Sequence, residues 1–164
     1  MTGVLKYVGA AAVLGCAYLA ARRYRKFLLR RVEECESFLK LIEHIKGEIS
    51  CFLSPVGEVL SNYCDEALSE VGLLTGTAQG MSLYDAYKGC EGKLSVGDEA
   101  KEILERLFSE LGKKYKNETV AALGRAEETL SAYTARVKDR MRDDMKLAAA
   151  LIFGGAMGLL LLLL

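Results

Sequence analysis

The chain has a single histidine, His44, and histidine is the residue type best suited to general acid–base catalysis near neutral pH. A histidine that activates a cysteine nucleophile must lie within hydrogen-bond reach of it, for example on an adjoining helical turn. Cys35 and Cys51 lie nine and seven residues from His44, which does not match that spacing. We therefore interpret His44 as a structural or solvated residue.

Adjacent carboxylates are the second group of residues that could do chemistry, as metal ligands or as an acid and a base. The chain offers Glu127 with Glu128 and Asp143 with Asp144, but neighbouring residues of a helix point in diverging directions. Both pairs are therefore expected on the solvated surface. The sequence also contains no phosphate loop of the GxxxxGK[ST] kind. We expect a protein that is not an enzyme and that binds no metal and no cofactor.

Overall charge and cysteine spacing argue against two further classes of protein. Lys plus Arg and Asp plus Glu each number 22, so the net charge is zero and no nucleic-acid partner is indicated. The five cysteines are scattered without CxxC spacing. This is typical of reduced cytosolic thiols rather than of a disulfide framework or a zinc site.

The C-terminus is apolar. Residues 147–164 contain no charged or polar side chain and finish in six leucines. As a helix, this stretch would be about 27 Å long, close to the roughly 30 Å hydrocarbon core of a bilayer. The alternative is a buried core helix, which would need a larger surrounding domain than this chain supplies. We predict a C-terminal transmembrane helix at residues 146–164.

A second apolar segment, residues 4–21, is followed at once by a basic cluster. A cleaved signal peptide carries its basic residues before the apolar run, so this pattern does not favour cleavage. Residues 13–16 resemble a bacterial lipobox, and lipoprotein processing at Cys16 stays open as an alternative. We predict an uncleaved N-terminal transmembrane helix at residues 1–22.

Basic residues flank both apolar segments on their central side. Because Lys and Arg concentrate on the cytosolic side of membrane helices, both termini are predicted to point away from the cytosol. Residues 23–145 would then form a cytosolic domain between the two membrane helices. The residues that set this topology at the first segment are Arg22, Arg23, Arg25, Lys26, Arg30 and Arg31.

Two long helices are predicted in the central domain. Apolar residues recur at steps of three and four over residues 32–52, with charged residues such as Glu34 between them, and this helix would continue from the first apolar segment. A stripe of seven-residue period covers residues 116–145, includes Arg140, and passes directly into the second apolar segment.

Shorter elements are predicted between these helices. Ser and Pro at residues 54–55 favour a helix start, whereas residues 73–80, with Thr and Gly, favour a loop. Ser82 is expected to begin a short helix, and residues 95–111 another that ends at Gly112. The predicted fold class is all-α, an antiparallel helical bundle flanked by N- and C-terminal transmembrane helices.

Four short motifs add a resemblance. The chain carries IKGEI at residues 45–49, PVGEVL at 55–60, SLYDAY at 82–87 and LFSELG at 107–112, after an apolar N-terminus with trailing arginines. In this order they resemble the stage III sporulation protein AB family over nearly the whole chain. The resemblance implies a part in a secretion-like trans-envelope complex between mother cell and forespore, needed for endospore formation. It places the protein in the bacterial inner membrane, on the mother-cell side.

The resemblance also implies partners. The cytosolic domain of this family is similar to that of the inner-membrane platform proteins of type II secretion and type IV pilus machines, and the neighbouring AA protein resembles a secretion ATPase. The expected role is a platform or adaptor that links this ATPase, and other proteins of the same operon, to the membrane. Platform proteins have paired cytosolic domains and more membrane helices, so the single domain here argues against a rotary or pilin-moving mechanism. A homo-oligomer is a further possibility.

Partner contacts are expected at residues that the resemblance and the residue types single out. Tyrosines are favoured at interfaces, although core packing is the alternative for those of residues 82–87. The predicted contact residues are Glu48, Pro55, Glu58, Tyr84, Asp85 and Tyr87.

A second function stays open from the sequence alone: a tail-anchored helical adaptor with a regulatory or tethering role unrelated to sporulation. Gene neighbourhood discriminates the two hypotheses, since the first expects a secretion-type ATPase gene nearby. An intact N-terminus in mass spectrometry would exclude the lipoprotein alternative.

Overall fold

The computed structural model describes residues 2–52, 59–60, 62–111 and 116–163, and the regular secondary structure of these residues is entirely helical. The all-α prediction is confirmed. The helices with described bounds are α1 (Thr2–Phe52), α2 (Glu66–Val71), α3 (Leu73–Ala78), α4 (Leu83–Cys90), α5 (Asp98–Glu110) and α6 (Lys116–Leu163), with a 3-10 turn at Glu91–Lys93 after α4.

The chain divides into two compact units. The terminal unit contains Met1–Leu29 and Val137–Leu164, and the central unit contains Arg30–Arg136. Helices α1 and α6 contribute residues to both units. The domain boundaries drawn from the sequence, after residues 22 and 145, fall within the terminal unit.

The predicted stripe of α1 forms the core of the central unit. Phe38, Leu41 and Ile45 have no exposed surface. Phe38 also lies in an aromatic cluster, with ring centroids 6.5 Å from Tyr87 and 6.2 Å from Phe108. The helical period predicted for residues 32–52 is therefore confirmed, because the residues at that period are the buried ones.

Helices α1 and α6 run antiparallel within the central unit. Arg31 donates a hydrogen bond to Tyr133, whereas Lys46, later in α1, forms an ion pair with Glu127, earlier in α6. Buried residues of α6 follow the predicted stripe at Leu123, Ala126, Leu130, Tyr133 and Val137. Arg140, assigned to the same stripe, is exposed.

The loop predicted for residues 73–80 is wrong, because this segment contains α3. Gly72 ends α2 in a left-handed conformation, with φ of 93°, and α3 begins at the next residue. A Cβ at Gly76 would lie 3.0 Å from the Cβ of Ala86 on α4. Contact between α3 and α4 therefore overrides the low helix propensity of Thr and Gly, and glycine is the residue that permits it.

The predicted helix starts are partly confirmed. Ser82 caps α4 by accepting a hydrogen bond from the Asp85 amide at 3.1 Å. Helix α5 begins at Asp98 rather than at Ser95. The start predicted at residues 54–55 and the end predicted at Gly112 lie outside the described residues.

Among the described residues, the large apolar side chains that are exposed belong to the terminal unit, except Met81 of the central unit. Tyr18, Leu19, Leu147 and Leu151 are between 57% and 73% exposed. Within the described part of the chain, no helix combines the length and the apolar character needed to cross a membrane. The transmembrane nature of the two ends stays a prediction.

Candidate interaction surfaces

Glu34 is the buried polar centre of the central unit. It lies on α1 with 1% of its surface exposed. One carboxylate oxygen accepts a hydrogen bond from Arg30 Nε at 3.1 Å, and the other accepts from the Ser95 and Val96 amides at 2.6 and 3.2 Å. A buried carboxylate is tolerated when its charge and its lone pairs are satisfied in this way. Glu34 therefore fixes the segment before α5 against α1, and its occupied oxygens suit a structural role.

This role of Glu34 differs from the expectation that the charged residues between the apolar positions of α1 are solvated. A signal was present in the spacing. Glu34 precedes Phe38 by four residues and Leu41 by seven, so it shares the buried face of α1. An acidic residue in register with an apolar stripe predicts a buried, hydrogen-bonded carboxylate.

A second polar contact joins α1, α6 and the start of α5. Tyr133 Oη accepts hydrogen bonds from Arg31 at 2.7 Å and from the Gly97 amide at 3.2 Å. The guanidinium groups of Arg31 and Arg136 each lie 5.9 Å from the Tyr133 ring centroid, within the range of a cation–π interaction. A Cβ at Gly97 would collide with the ends of the Arg31 and Tyr133 side chains, so a larger residue there would displace this contact.

The six basic residues predicted to set the topology fall into two groups. Arg30 and Arg31 belong to the central unit and bond to Glu34, Glu70 and Tyr133. The other four are exposed residues of α1 in the terminal unit: Arg22, Arg23, Arg25 and Lys26. The first group holds the fold of the central unit, and the second is accessible to an external anion.

The predicted contact motif on α4 is divided between surface and core. Tyr84 is half-buried and Asp85 is exposed. Tyr87 is fully buried and donates a hydrogen bond to the Lys101 carbonyl at 3.0 Å. Burial is the main cause of its raised pKa. Tyr87 is thus a core residue, the alternative that the sequence left open, and Tyr84 and Asp85 are the members that a partner could reach.

Of the other predicted contact residues, Glu48 is half-buried on α1. Pro55 and Glu58 lie outside the described residues.

A groove between α5 and α6 in the central unit was not anticipated from the sequence. Its volume is about 490 Å³. Apolar lining comes from Ile103, Leu107, Ala122 and Ala126, and the charged lining comes from Glu99, Glu102, Arg106, Glu110 and Arg125. An apolar floor with a charged rim is suited to the apolar face of an amphipathic helix. Ile103 is only half-buried, so the apolar face of α5 is incompletely covered at this groove.

His44 and Cys35, two of the residues considered for catalysis, lie in packed environments. The His44 ring lies 5.0 Å from the Tyr63 ring, at an interplanar angle of 33°. Burial raises the pKa of the Cys35 thiol to about 11, so the thiol stays protonated and weakly nucleophilic at neutral pH. Burial also raises the pKa of Tyr63 to about 12. Among the described residues, no group of three or more His, Cys, Asp or Glu is arranged to hold a metal ion.

Comparison with known proteins gives one family. The model of the family described as stage III sporulation protein AB matches residues 6–164 of the chain. No curated protein and no solved structure matches significantly.

Proposed function

Because this chain belongs to the stage III sporulation protein AB family and thus has a role in sporulation, we propose that it is a non-enzymatic, membrane-anchored platform or adaptor. It would serve in the complex between mother cell and forespore. The main observation behind the proposal is that α1 and α6 each extend through both units of the chain. Each helix starts or ends in an apolar terminal segment and also supplies a buried face of the central unit.

Membrane anchoring at both ends is supported by composition and exposure. Residues 147–164 contain no charged or polar side chain. Side chains of the terminal unit such as Leu147 and Leu151 are 61% and 73% exposed, which is unfavourable in water and favourable in lipid. We propose a hairpin in the bacterial inner membrane, with the central unit in the mother-cell cytosol.

An adaptor role is supported by the way the polar residues of the central unit are used. Its buried carboxylate, Glu34, holds backbone amides, and its buried thiol, Cys35, has a pKa raised to about 11. The accessible features are instead suited to binding a protein. They are the α5–α6 groove and the exposed end of the α4 motif at Tyr84 and Asp85.

Membership of the family implies interaction with other sporulation proteins. We propose that the direct partner is the AA secretion-type ATPase that the family resemblance implies. We also propose that the central unit corresponds to a platform domain of type II secretion and type IV pilus machines. The second function considered from the sequence, an adaptor unrelated to sporulation, is removed by the family assignment.

Site-specific photocrosslinking in sporulating cells tests the adaptor role. A photoreactive amino acid is placed in the full chain at Arg106 in the α5–α6 groove, at Asp85 on α4, and at Glu33, an exposed residue of α1, as a control. Recovery of the ATPase or of other complex subunits from Arg106 or Asp85, but not from Glu33, supports the proposal. Recovery of no complex subunit from any position would contradict it.

A further inference from the structure

A groove in the terminal unit lies between α1 and α6 and has a volume of about 230 Å³. The polarity of its lining changes from one end of the groove to the other. The residues that matter here are Tyr18, Arg22 and Arg25 on α1, and Asp144, Ala148 and Ile152 on α6. None of them belongs to the polar contacts that hold the central unit together.

One end of this groove is basic. Arg22 and Arg25 are three residues apart, so they share a face of α1. Both are exposed, and among the described residues neither has a hydrogen-bond or ion-pair partner. Guanidinium groups bind phosphate oxygens by paired hydrogen bonds, and two on one face can hold a single phosphodiester.

The other end of the groove is apolar. Ala148 and Ile152 are four residues apart and share a face of α6, in the direction of the leucine-rich C-terminus. Tyr18, on the α1 wall, is 58% exposed and lies toward the apolar N-terminal segment. Tyrosines at such a transition are typical of the level of lipid headgroups. The groove thus has the polarity of a lipid molecule, with a charged end and an apolar end.

We propose that this groove binds an anionic phospholipid, with its phosphodiester between Arg22 and Arg25 and an acyl chain along Ala148 and Ile152. The inference rests on the membrane anchoring proposed above. Basic pockets between membrane helices on the cytosolic side bind such headgroups. Asp144 lines the same groove and accepts a hydrogen bond from Tyr24 Oη at 3.2 Å, so its carboxylate lies in the same lining as the two arginines.

Native mass spectrometry of the full chain in detergent, with phosphatidylglycerol or phosphatidylcholine added, tests the proposal. We expect phosphatidylglycerol to bind preferentially, and Arg22→Gln with Arg25→Gln to weaken this binding roughly ten- to thirtyfold. The matched control is Arg23→Gln with Lys26→Gln, which removes the same charge from neighbouring exposed positions outside the groove lining. Equal losses in the two double variants would overturn the site in favour of nonspecific surface attraction.

A variant that is expected to strengthen lipid binding keeps the test independent of folding defects, because a folding defect would weaken binding. Asp144→Asn removes the opposing charge and retains an acceptor for Tyr24, so binding of phosphatidylglycerol is expected to tighten severalfold. Asp143→Asn, at an exposed neighbouring position, is expected to leave it unchanged. Inorganic phosphate should not displace the lipid, because the acyl chain contributes to binding; displacement would overturn the lipid assignment.

Carbonate extraction of membranes separates this inference from the proposed function. A chain that carbonate releases is not membrane-anchored, and both proposals fail. A chain that resists extraction but shows no preference for phosphatidylglycerol leaves the anchoring intact and overturns the lipid site alone.

Discussion

The two units use the same two helices in opposite ways. In the central unit, the apolar face of α1 is closed, and Phe38, Leu41 and Ile45 have no exposed surface. In the terminal unit, Leu147 and Leu151 of α6 leave most of their surface exposed. The first pattern is that of a protein core stable in water, and the second supports the membrane anchoring proposed above. One continuous helix can therefore bury its apolar side chains in one unit and expose them in the other.

Charged residues also differ between the units in burial and in hydrogen bonding. The central unit satisfies its buried carboxylate, Glu34, with three donors. The terminal unit leaves Arg22 and Arg25 exposed, without partners among the described residues. One helix thus carries, within a dozen residues, a charge that stabilises the fold and exposed charges that are accessible to a ligand.

The largest predicted change in stability is expected from a substitution in the core of the central unit. Phe38→Ala should lower the free energy of unfolding of the central unit by about 3–5 kcal/mol, because a buried aromatic side chain is lost and a cavity remains. Cys35 is fully buried, so its rate of modification by a thiol reagent reports opening of the unit. We expect this rate to rise roughly a hundredfold to five-thousandfold, the factor that corresponds to about 3–5 kcal/mol. Leu151→Ala, in the terminal unit, is the control and should leave the rate unchanged.

An alkaline pH dependence is the next largest effect. The pKa of Cys35 is raised from 9.0 to about 11 by burial, so the folded state favours the neutral thiol. The contribution of this thiol to the free energy of unfolding is complete below pH 9 and is lost as the pH rises through 11. The total loss is about 2–3 kcal/mol. Thermal melts of the full chain, followed by circular dichroism, should converge between wild type and Cys35→Ala over this range. Parallel curves would contradict burial of the thiol.

A smaller effect is expected at the buried carboxylate. Glu34→Gln keeps the shape but replaces charge-assisted hydrogen bonds with neutral ones, at a cost of about 1–2 kcal/mol. Hydrogen exchange at the Ser95 and Val96 amides should accelerate, since these are its backbone donors. Glu70→Gln alters the exposed partner of the same Arg30 and should change little. Equal changes in hydrogen exchange in the two variants would show that Glu34 does not hold the segment before α5 against α1.

A helix of this fold can be predicted from the sequence when its own residue pattern determines it, and not when a contact with another helix does. The long helices α1 and α6 were predictable, because their buried residues recur with the helical period. Helix α3 was not, because the composition of residues 73–80 favours a loop and the deciding contact, between Gly76 and Ala86, joins two helices.

The interaction surfaces were predictable only in part. The basic cluster after the first apolar segment was visible, but its division into Arg30 and Arg31, which hold the fold, and four exposed residues depends on partners distant in sequence. The α5–α6 groove depends on how far two helices separate, which periodicity does not specify. Tyr84 and Tyr87 look equivalent in the sequence and differ because one turns into the core.

Accessibility of Cys64 tests the central claim most directly, namely that two membrane-anchored ends hold an all-helical unit in the cytosol. Cys64 is an exposed residue of the central unit. The exposed Cys16 and Cys51 are replaced by alanine, and the buried Cys35 and Cys90 are retained. The account predicts that a membrane-impermeant maleimide modifies Cys64 in inside-out vesicles and not in intact protoplasts. Modification in intact protoplasts would contradict the topology and, with it, the adaptor role.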